Sequence, residues 1–235
     1  MIRENTTIKH HGLIYKSDLI IAFLEGRKTQ TRRIMTRFNT NVDGHGRASK
    51  DLWEQLDFND AHLDSGPSPA GNPGPYLKVF NPITKTRHRI YPVYQAGDLM
   101  WARETWTEVL TRPFDNDSAK VIFRADGWES KDPDYPGLTY HSPIHLKKKD
   151  ARIWREITKV RIQRIQEISI GDIMAEGLTF DQIQDTIQSG QNANDEIRKR
   201  FISLWDGINA KRGYPWEAND WVIALNLESG NYSEK

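Results

Sequence analysis

The stretch LIYKSDLIIAFLEGRKTQTRR, residues 13–33, joins a helix pattern to a dense cluster of cations. Ser17 predicts the start of the helix and Gly26 its end, since serine caps helix N-termini and glycine commonly follows the last turn. The cationic segment is therefore expected directly behind a helix end. The apolar residues of the helix recur at helical spacing and predict a face that packs on a core: Leu19, Ile20, Phe23 and Leu24.

The cationic segment itself, GRKTQTRR at residues 26–33, holds four cations and two threonine hydroxyls. Arg32 and Arg33 have the fork geometry that suits phosphate. Lys28 and Thr31 are three positions apart, so in a tight turn both can face one bound group. Cations behind a helix C-terminus can also serve only to offset its dipole while they stay solvated. From the residues alone both interpretations remain open.

Outside this stretch, strand patterns are scattered along the chain and short helix patterns separate them. Gly97 and Asp98 predict a turn into the first of these strands. The predicted strands are LMWAR (99–103), KVIFRA (120–125), ARIWREI (151–157), KVRIQRIQEI (159–168) and DWVIALNL (220–227). The predicted helices are SIGDIMAEG (169–177), capped by Ser169, and a longer one from about Asn194 to near Gly213.

Two segments lack either pattern. Residues 39–82 are rich in Gly, Pro, Asn and Asp, and residues 127–143 are polar with prolines, so both predict long irregular insertions rather than a second core. No GxGxxG or GxxxxGK[ST] phosphate loop occurs in the chain. The order of elements favours an α+β protein or a decorated barrel over doubly wound βαβ units.

Composition narrows the classes of function. Thirty-three Lys and Arg face 32 Asp and Glu, a formal charge of +1, so nucleic-acid binding would need a local patch. The absence of cysteine excludes disulfides, thiolate nucleophiles and cysteine-ligated zinc. No signal-peptide or membrane-spanning pattern appears, which predicts a cytoplasmic protein without membrane contact. The histidines form no metal-binding pattern, and no metal or other cofactor is predicted.

Two further groups of residues predict nucleic-acid contacts. Trp101 and Trp106 flank Arg103 in GDLMWARETW, and tryptophan faces beside arginine can stack nucleobases. Arg161 and Arg164 belong to a series of arginines that would follow a phosphate backbone if they share one strand face. Core packing of the tryptophans and a solvated sheet face are the alternatives.

The order of these segments resembles the ASCH family, relatives of the PUA-like RNA-binding barrels. The resemblance rests on the helix ending in GRKTQTRR, the GD turn before a strand, SIGDIMAEG and the terminal WVIAL strand. A narrower resemblance, to the larger phage and prophage members of the family, rests on five further segments: LMWARETW, FRADG, SPIH, RIQEISIGDIMAEG and LWDGIN. The family resemblance covers residues 17–227. It implies one PUA-like domain over residues 1–235, which would be a small β-barrel with short flanking helices and the two insertions.

The resemblance also implies a site. Small bacterial members remove the acyl group of N4-acetylcytidine with a lysine, a threonine and a distant glutamate, which fall on Lys28, Thr31 and Glu176. In that mechanism Thr31 attacks the amide carbonyl, Lys28 is its base, and Glu176 orients the lysine or passes a proton to the leaving amine. Neighbouring cations should lower the pKa of Lys28 and suit it to that role: Arg27, Arg32 and Arg33.

Three hypotheses follow for the function. In the first, the cleft binds RNA or a modified nucleoside and hydrolyses an N4-acyl cytidine amide. In the second, the protein is a non-catalytic reader of RNA or modified bases, with Trp101 or Trp106 stacking on a base. In the third, it is a phage accessory protein that contacts a host protein through residues 39–82.

Overall fold

A computed structural model describes residues 7–67, 74–110, 119–128, 137–178 and 192–229 of the chain. Within these ranges the protein is an α+β structure, as predicted, with eleven strands and four α-helices. The strands are β1 (His10–Ile14), β2 (Gln30–Ile34), β3 (Thr40–Val42), β4 (Asp57–Ser65), β5 (Pro75–Asn81), β6 (Thr86–Pro92), β7 (Leu99–Arg103), β8 (Trp106–Leu110), β9 (Ala119–Phe123), β10 (Trp154–Arg164) and β11 (Trp221–Ser229). The helices are α1 (Ser17–Leu24), α2 (Lys50–Glu54), α3 (Ile170–Ala175) and α4 (Ala193–Asn209).

The main sheet has five strands in the order β1-β7-β10-β11-β2. β1 and β7 are parallel, and the other neighbours are antiparallel. β10 joins the two segments that we predicted as separate strands. Its pairing with β11 shifts register between Ile157 and Lys159, so a bulge occupies the apparent gap. The strand ends at Arg164, four residues before the predicted end at Ile168.

Residues 39–67 and 74–82, the described parts of the first expected insertion, are not irregular, whereas residues 68–73 lie outside the described ranges. The described parts supply β3, α2, β4 and β5, which with β6 form a four-stranded antiparallel sheet in the order β3-β6-β5-β4. Turn residues connect these elements: Asp43 and Gly44, for example, follow β3 with positive φ and precede α2. Leu77 and Ile90 of this sheet share a buried cluster with Ile157 of the main sheet. Of the second expected insertion, residues 129–136 lie outside the described ranges.

The helices pack on the main sheet, and their predicted boundaries were partly correct. Ser169 caps α3, with its Oγ accepting a hydrogen bond from the Asp172 amide at 3.1 Å. Ser17 does not cap α1, because the capping position is Lys16 and no side-chain cap forms there. α3 and α4 share a buried apolar cluster with the main sheet: Ile34, Ile165, Ile168, Ile173, Ile197, Phe201, Trp205, Trp216 and Val222.

The main sheet is open, and the closed barrel that we expected is not formed. β1 and β2 are its two edges, and no backbone pairing joins them in the described part of the chain. A side chain crosses the gap instead: Arg33 Nη2 of β2 donates to the Ile14 carbonyl of β1 at 3.1 Å. The gap between the two edges therefore remains available for a cleft. No helix within the described ranges has the length and apolar character to cross a membrane.

Gly177, directly after α3, allows this helix to approach α1 closely. Its φ is +104°, a conformation that side chains disfavour. A Cβ at this position would stand 2.7 Å from the Ala22 Cβ and 3.2 Å from the Lys28 Cβ. Glycine is therefore required both by backbone conformation and by space.

Gly177→Ala should destabilise the fold more than Gly26→Ala. Both glycines have positive φ, so an added Cβ strains either backbone by about 1–2 kcal/mol. Gly26 has no atom within 4 Å of the added Cβ, which makes it a control for strain alone. We expect Gly177→Ala to cost roughly 2–4 kcal/mol in total, measured by urea unfolding. Equal losses in the two variants would contradict the close approach of α3 and α1.

Candidate functional site

A cleft of about 1040 Å³ lies between the edge strands β1 and β2 and helix α4. Lys28, Thr31 and Glu176, the three residues predicted as a site, all line it. A smaller cavity of about 250 Å³, between the second sheet and β10, is lined by none of the three. The large cleft is therefore the candidate functional site.

Lys28 and Glu176 form a buried pair at the base of the cleft. The Lys28 Nζ donates to Glu176 Oε2 at 2.6 Å and to the Glu176 carbonyl at 2.9 Å. The side chains are 1% and 8% exposed. Backbone hydrogen bonds bring the two segments together, since the Thr29 amide donates to the Ala175 carbonyl at 2.8 Å. The end of α3 is thus fixed to the residues that precede β2.

The pair belongs to a larger charged network, which we define as Lys28, Glu176, Arg32, Asp172 and Arg161. Arg32 bridges the two carboxylates, with Nη1 donating to Glu176 Oε1 at 2.9 Å and Nη2 to Asp172 Oδ2 at 2.7 Å. Arg161 donates to both oxygens of Asp172 at 3.1–3.2 Å. Charge alternates along the whole network, which offsets the cost of burial.

Charge balance in the network singles out Lys28. Glu176 and Asp172 supply two negative charges, and Arg32 with Arg161 already supply two positive ones. Arginine does not deprotonate in proteins, so Lys28 is the surplus cation and the one that can release a proton. Burial lowers the pKa of Lys28 below its ordinary value of 10.5; Glu176 opposes this shift, whereas Arg33 and Arg32 add to it.

A neutral Lys28 would have a lone pair that its hydrogen bonds do not use. A neutral amine has two N–H groups and one lone pair, and the two hydrogen bonds to Glu176 use both N–H groups. The lone pair then remains for a proton acceptor role. Thr31 supplies a hydroxyl in the same cleft, is 3% exposed, and has no side-chain hydrogen bond to any described residue.

Side chains of β2 alternate between the network and the other side of the strand. Arg32 and Gln30 turn to α3, where Gln30 Nε2 donates to Asp172 Oδ1 at 2.8 Å. Arg33 lies on the opposite side, with its guanidinium 4.6 Å from the centre of the Tyr15 ring. Arg27 does not join either group, because it contacts Glu25 and the Gly177 carbonyl. Arg33 and Arg32, rather than Arg27, are the cations that contribute most to lowering the Lys28 pKa.

The tryptophans predicted to stack on bases are outside the cleft. Trp101 and Trp106 are 4% and 7% exposed, and neither lines the cleft. Arg103 lies over the Trp101 ring at 4.7 Å and donates to the Ile144 carbonyl. The alternative interpretation, core packing, holds for both, because each ring is enclosed by its neighbours.

The predicted stripe of arginines is not formed either. Arg161 turns to Asp172 on α3, whereas Arg164 donates to the Phe58 carbonyl of β4 and lies 4.3 Å over the Trp221 ring. Residues three apart in a strand point to opposite faces. Arg161 and Arg164 thus serve two different internal contacts.

Sequence reasoning missed several residues of the site. Asp172 was visible only as the fourth residue of the capping motif that begins at Ser169, and its role as the partner of two arginines needs the tertiary structure. Arg37 and Arg212 line the cleft without any motif to mark them. Helix α4 also lines the cleft with four apolar side chains, which we call the apolar wall: Phe201, Leu204, Trp205 and Ile208.

Comparison with protein-family models, with characterised proteins and with solved structures found no match to this chain. In the described part of the chain, no group of three or more His, Asp or Glu side chains is arranged to hold a metal ion.

Asp172→Asn should weaken the fold at neutral pH and change its acid sensitivity. Burial acts to raise the pKa of Asp172, but the hydrogen bond from Gln30 and the charges of Arg32 and Arg161 together hold that pKa below its usual range. A carboxyl with a lowered folded-state pKa adds stability above its unfolded pKa, near 4, and loses it as the pH falls through the folded value. We expect a loss of roughly 1–3 kcal/mol at pH 7, measured by urea unfolding.

The difference between wild type and Asp172→Asn should shrink as the pH falls below about 4. Glu228→Gln is the control, because Glu228 is exposed on β11 and its neutralisation should change stability by less than about 0.5 kcal/mol. A difference independent of pH would show that the carboxylate charge is not what Asp172 contributes.

Proposed function

We propose that the chain is an ASCH protein of the PUA-like class and that its cleft hydrolyses the N4-acyl amide of a modified cytidine. The observation that carries this proposal is the buried Lys28 amine, held by Glu176 at 2.6 Å in the cleft that also holds the Thr31 hydroxyl. A base, a hydroxyl nucleophile and a carboxylate that orients the base are the groups that acyl transfer requires. They come from remote segments, which matches the motif resemblance.

The first half of the reaction transfers the acyl group to the protein. The Thr31 Oγ attacks the amide carbonyl carbon while its proton passes to the neutral Lys28 Nζ. The carbon–nitrogen bond then breaks, and the Lys28 proton moves to the departing nitrogen, which leaves as the exocyclic amine of cytidine. The acyl group remains as an ester of Thr31. Glu176 holds the Lys28 nitrogen in place throughout.

The second half restores the protein. A water molecule gives a proton to Lys28 and adds to the ester carbonyl carbon. The bond between that carbon and Thr31 Oγ breaks, Oγ recovers the proton from Lys28, and the carboxylic acid departs. One amide and one water are consumed, and one amine and one acid are formed. The network stays paired in each state, because Arg32 balances Glu176 whether or not Lys28 carries a proton.

The walls of the cleft suit a nucleobase. Trp205, Leu204 and Ile208 of α4 line one side, and Tyr15 lies beside Lys28 and Arg33, whose cationic groups are 5.8 Å and 4.6 Å from its ring centre. Ligand sites commonly combine an apolar lining with a few polar groups that fix orientation. A flat heterocycle could lie against the apolar side chains of α4. Its N4-acyl amide would then reach the polar end of the cleft, where Lys28 and Glu176 lie.

Thr31→Val should abolish release of cytidine from N4-acetylcytidine while the protein stays folded. Valine keeps the shape of threonine but has no nucleophile, so the rate should fall by roughly 10²-fold or more. Thr29→Val is the matched control: Thr29 is exposed, is two positions away and does not line the cleft, so its rate should be unchanged. Chromatography of the released cytidine measures both.

Hydrolysis by wild type with equal rates in Thr31→Val and Thr29→Val would contradict the role of Thr31. Absence of hydrolysis by wild type, with N4-acetylcytidine still bound, would leave the non-catalytic reader as the function of the cleft. Substitution of Lys28 or Glu176 is a less direct test, because removing one partner of a buried ion pair costs about 3–5 kcal/mol of stability.

A further inference from the structure

The charges that line the cleft are strongly unbalanced. The chain as a whole is nearly neutral, with 33 cations and 32 acids. Six cations line the cleft, whereas Glu176 is the one carboxylate among its described lining residues. A cleft with one sign of charge and low-dielectric walls concentrates ligands of the opposite sign. The six cations are Lys16, Lys28, Arg32, Arg33, Arg37 and Arg212.

Four of these cations are not used by the network. Lys28 and Arg32 are paired with Glu176. The remaining four form no ion pair with a described acid, and their contacts are to neutral groups. Lys16 donates to the Gly207 carbonyl, Arg33 to the Ile14 carbonyl and Arg212 to the Asn209 side chain. The Arg37 guanidinium lies 4.1 Å over the Phe38 ring.

Arg33 carries a donor that lacks an acceptor. Its Nε is buried and has no hydrogen-bond partner among the described residues. A buried donor without an acceptor costs about 1–3 kcal/mol, so a bound anion would recover stability there. Guanidinium groups match the oxygens of phosphate with two parallel hydrogen bonds. A phosphate oxygen would therefore be a suitable acceptor for the Arg33 guanidinium.

Size supports a ligand larger than a nucleoside. The cleft volume of about 1040 Å³ lies just above the range of about 300–1,000 Å³ that small-molecule sites occupy. A nucleoside placed between the apolar side chains of α4 and the Lys28 amine would use one part of this cleft. Arg33, Arg37 and Arg212 line the same cleft and remain without an assigned ligand.

We infer that the ligand of the cleft carries phosphate. Arg33, Arg37 and Arg212 bind the phosphate, while the nucleobase of the ligand lies against α4. The inference rests on the proposed function for the identity of the nucleobase. It does not require that the protein hydrolyses the ligand. The phosphate is that of a nucleotide or of an RNA strand, which present the same oxygens to the arginines. A free nucleoside would leave the three arginines unoccupied.

Calorimetric titration of the Thr31→Val protein, which cannot form the acyl ester, tests this inference. The probes are N4-acetylcytidine, its 5′-monophosphate, and a short single-stranded RNA containing the same base. We expect the monophosphate or the RNA to bind at least about tenfold more tightly than the nucleoside. The advantage should decrease with added salt, because it depends on phosphate contacts. The tighter of the two identifies the source of the phosphate.

Variants of the arginines assign the effect to the cleft. Added to the Thr31→Val protein, Arg37→Gln or Arg212→Gln should reduce the phosphate advantage by about tenfold and leave nucleoside binding unchanged. Arg47→Gln is the control, because Arg47 is an exposed arginine outside the cleft lining. It should preserve the full advantage.

The two proposals fail in different ways. Equal binding of the three probes, or an advantage that survives both arginine variants, would overturn the phosphate inference even if the wild type hydrolyses the nucleoside. A phosphate advantage lost in the variants would establish the inference even if no probe is hydrolysed. Binding of none of the probes would overturn it as well.

Discussion

An amine and a carboxylate that are 148 positions apart in the chain meet inside this protein at 2.6 Å. Placing Lys28 and Glu176 out of water is costly, and loss of either partner from such a pair typically costs about 3–5 kcal/mol. Arg32 and Asp172 extend the pair until every carboxylate oxygen has a donor. Because these contacts join β2 to α3, they also set the shape of the cleft.

Within the network, the charges that hold the fold together are distinct from the charge that can change during a reaction. Two arginines balance two carboxylates without Lys28, so a proton can leave the lysine while the contacts between β2 and α3 persist. Around this polar end, α4 supplies an apolar wall. Arg33, Arg37 and Arg212 supply positive charge, and none of them pairs with an acid among the described residues. The cleft therefore offers three kinds of surface to one ligand.

Local patterns in the sequence predicted the helices near residues 17–25, 169–177 and 194–213, because caps and apolar spacing act within a few residues. Lys28 and Glu176 were paired through a motif resemblance, since nothing local links them. The strands within residues 39–67 and 74–82 were not predicted, because short strands between turn-rich segments look irregular in composition. Local patterns left the burial of Trp101 and the direction of Arg161 open, since neighbours in space decide both.

Nuclear magnetic resonance titration of the Lys28 side-chain nitrogen tests the central claim most directly, with its signal assigned by comparison with Lys28→Met. Burial should outweigh the attraction of Glu176, so we predict a pKa clearly below the ordinary 10.5 and a neutral amine at lower pH than for exposed lysines. A pKa at or above 10.5 would show that Lys28 is a structural cation of the ion pair and not a base.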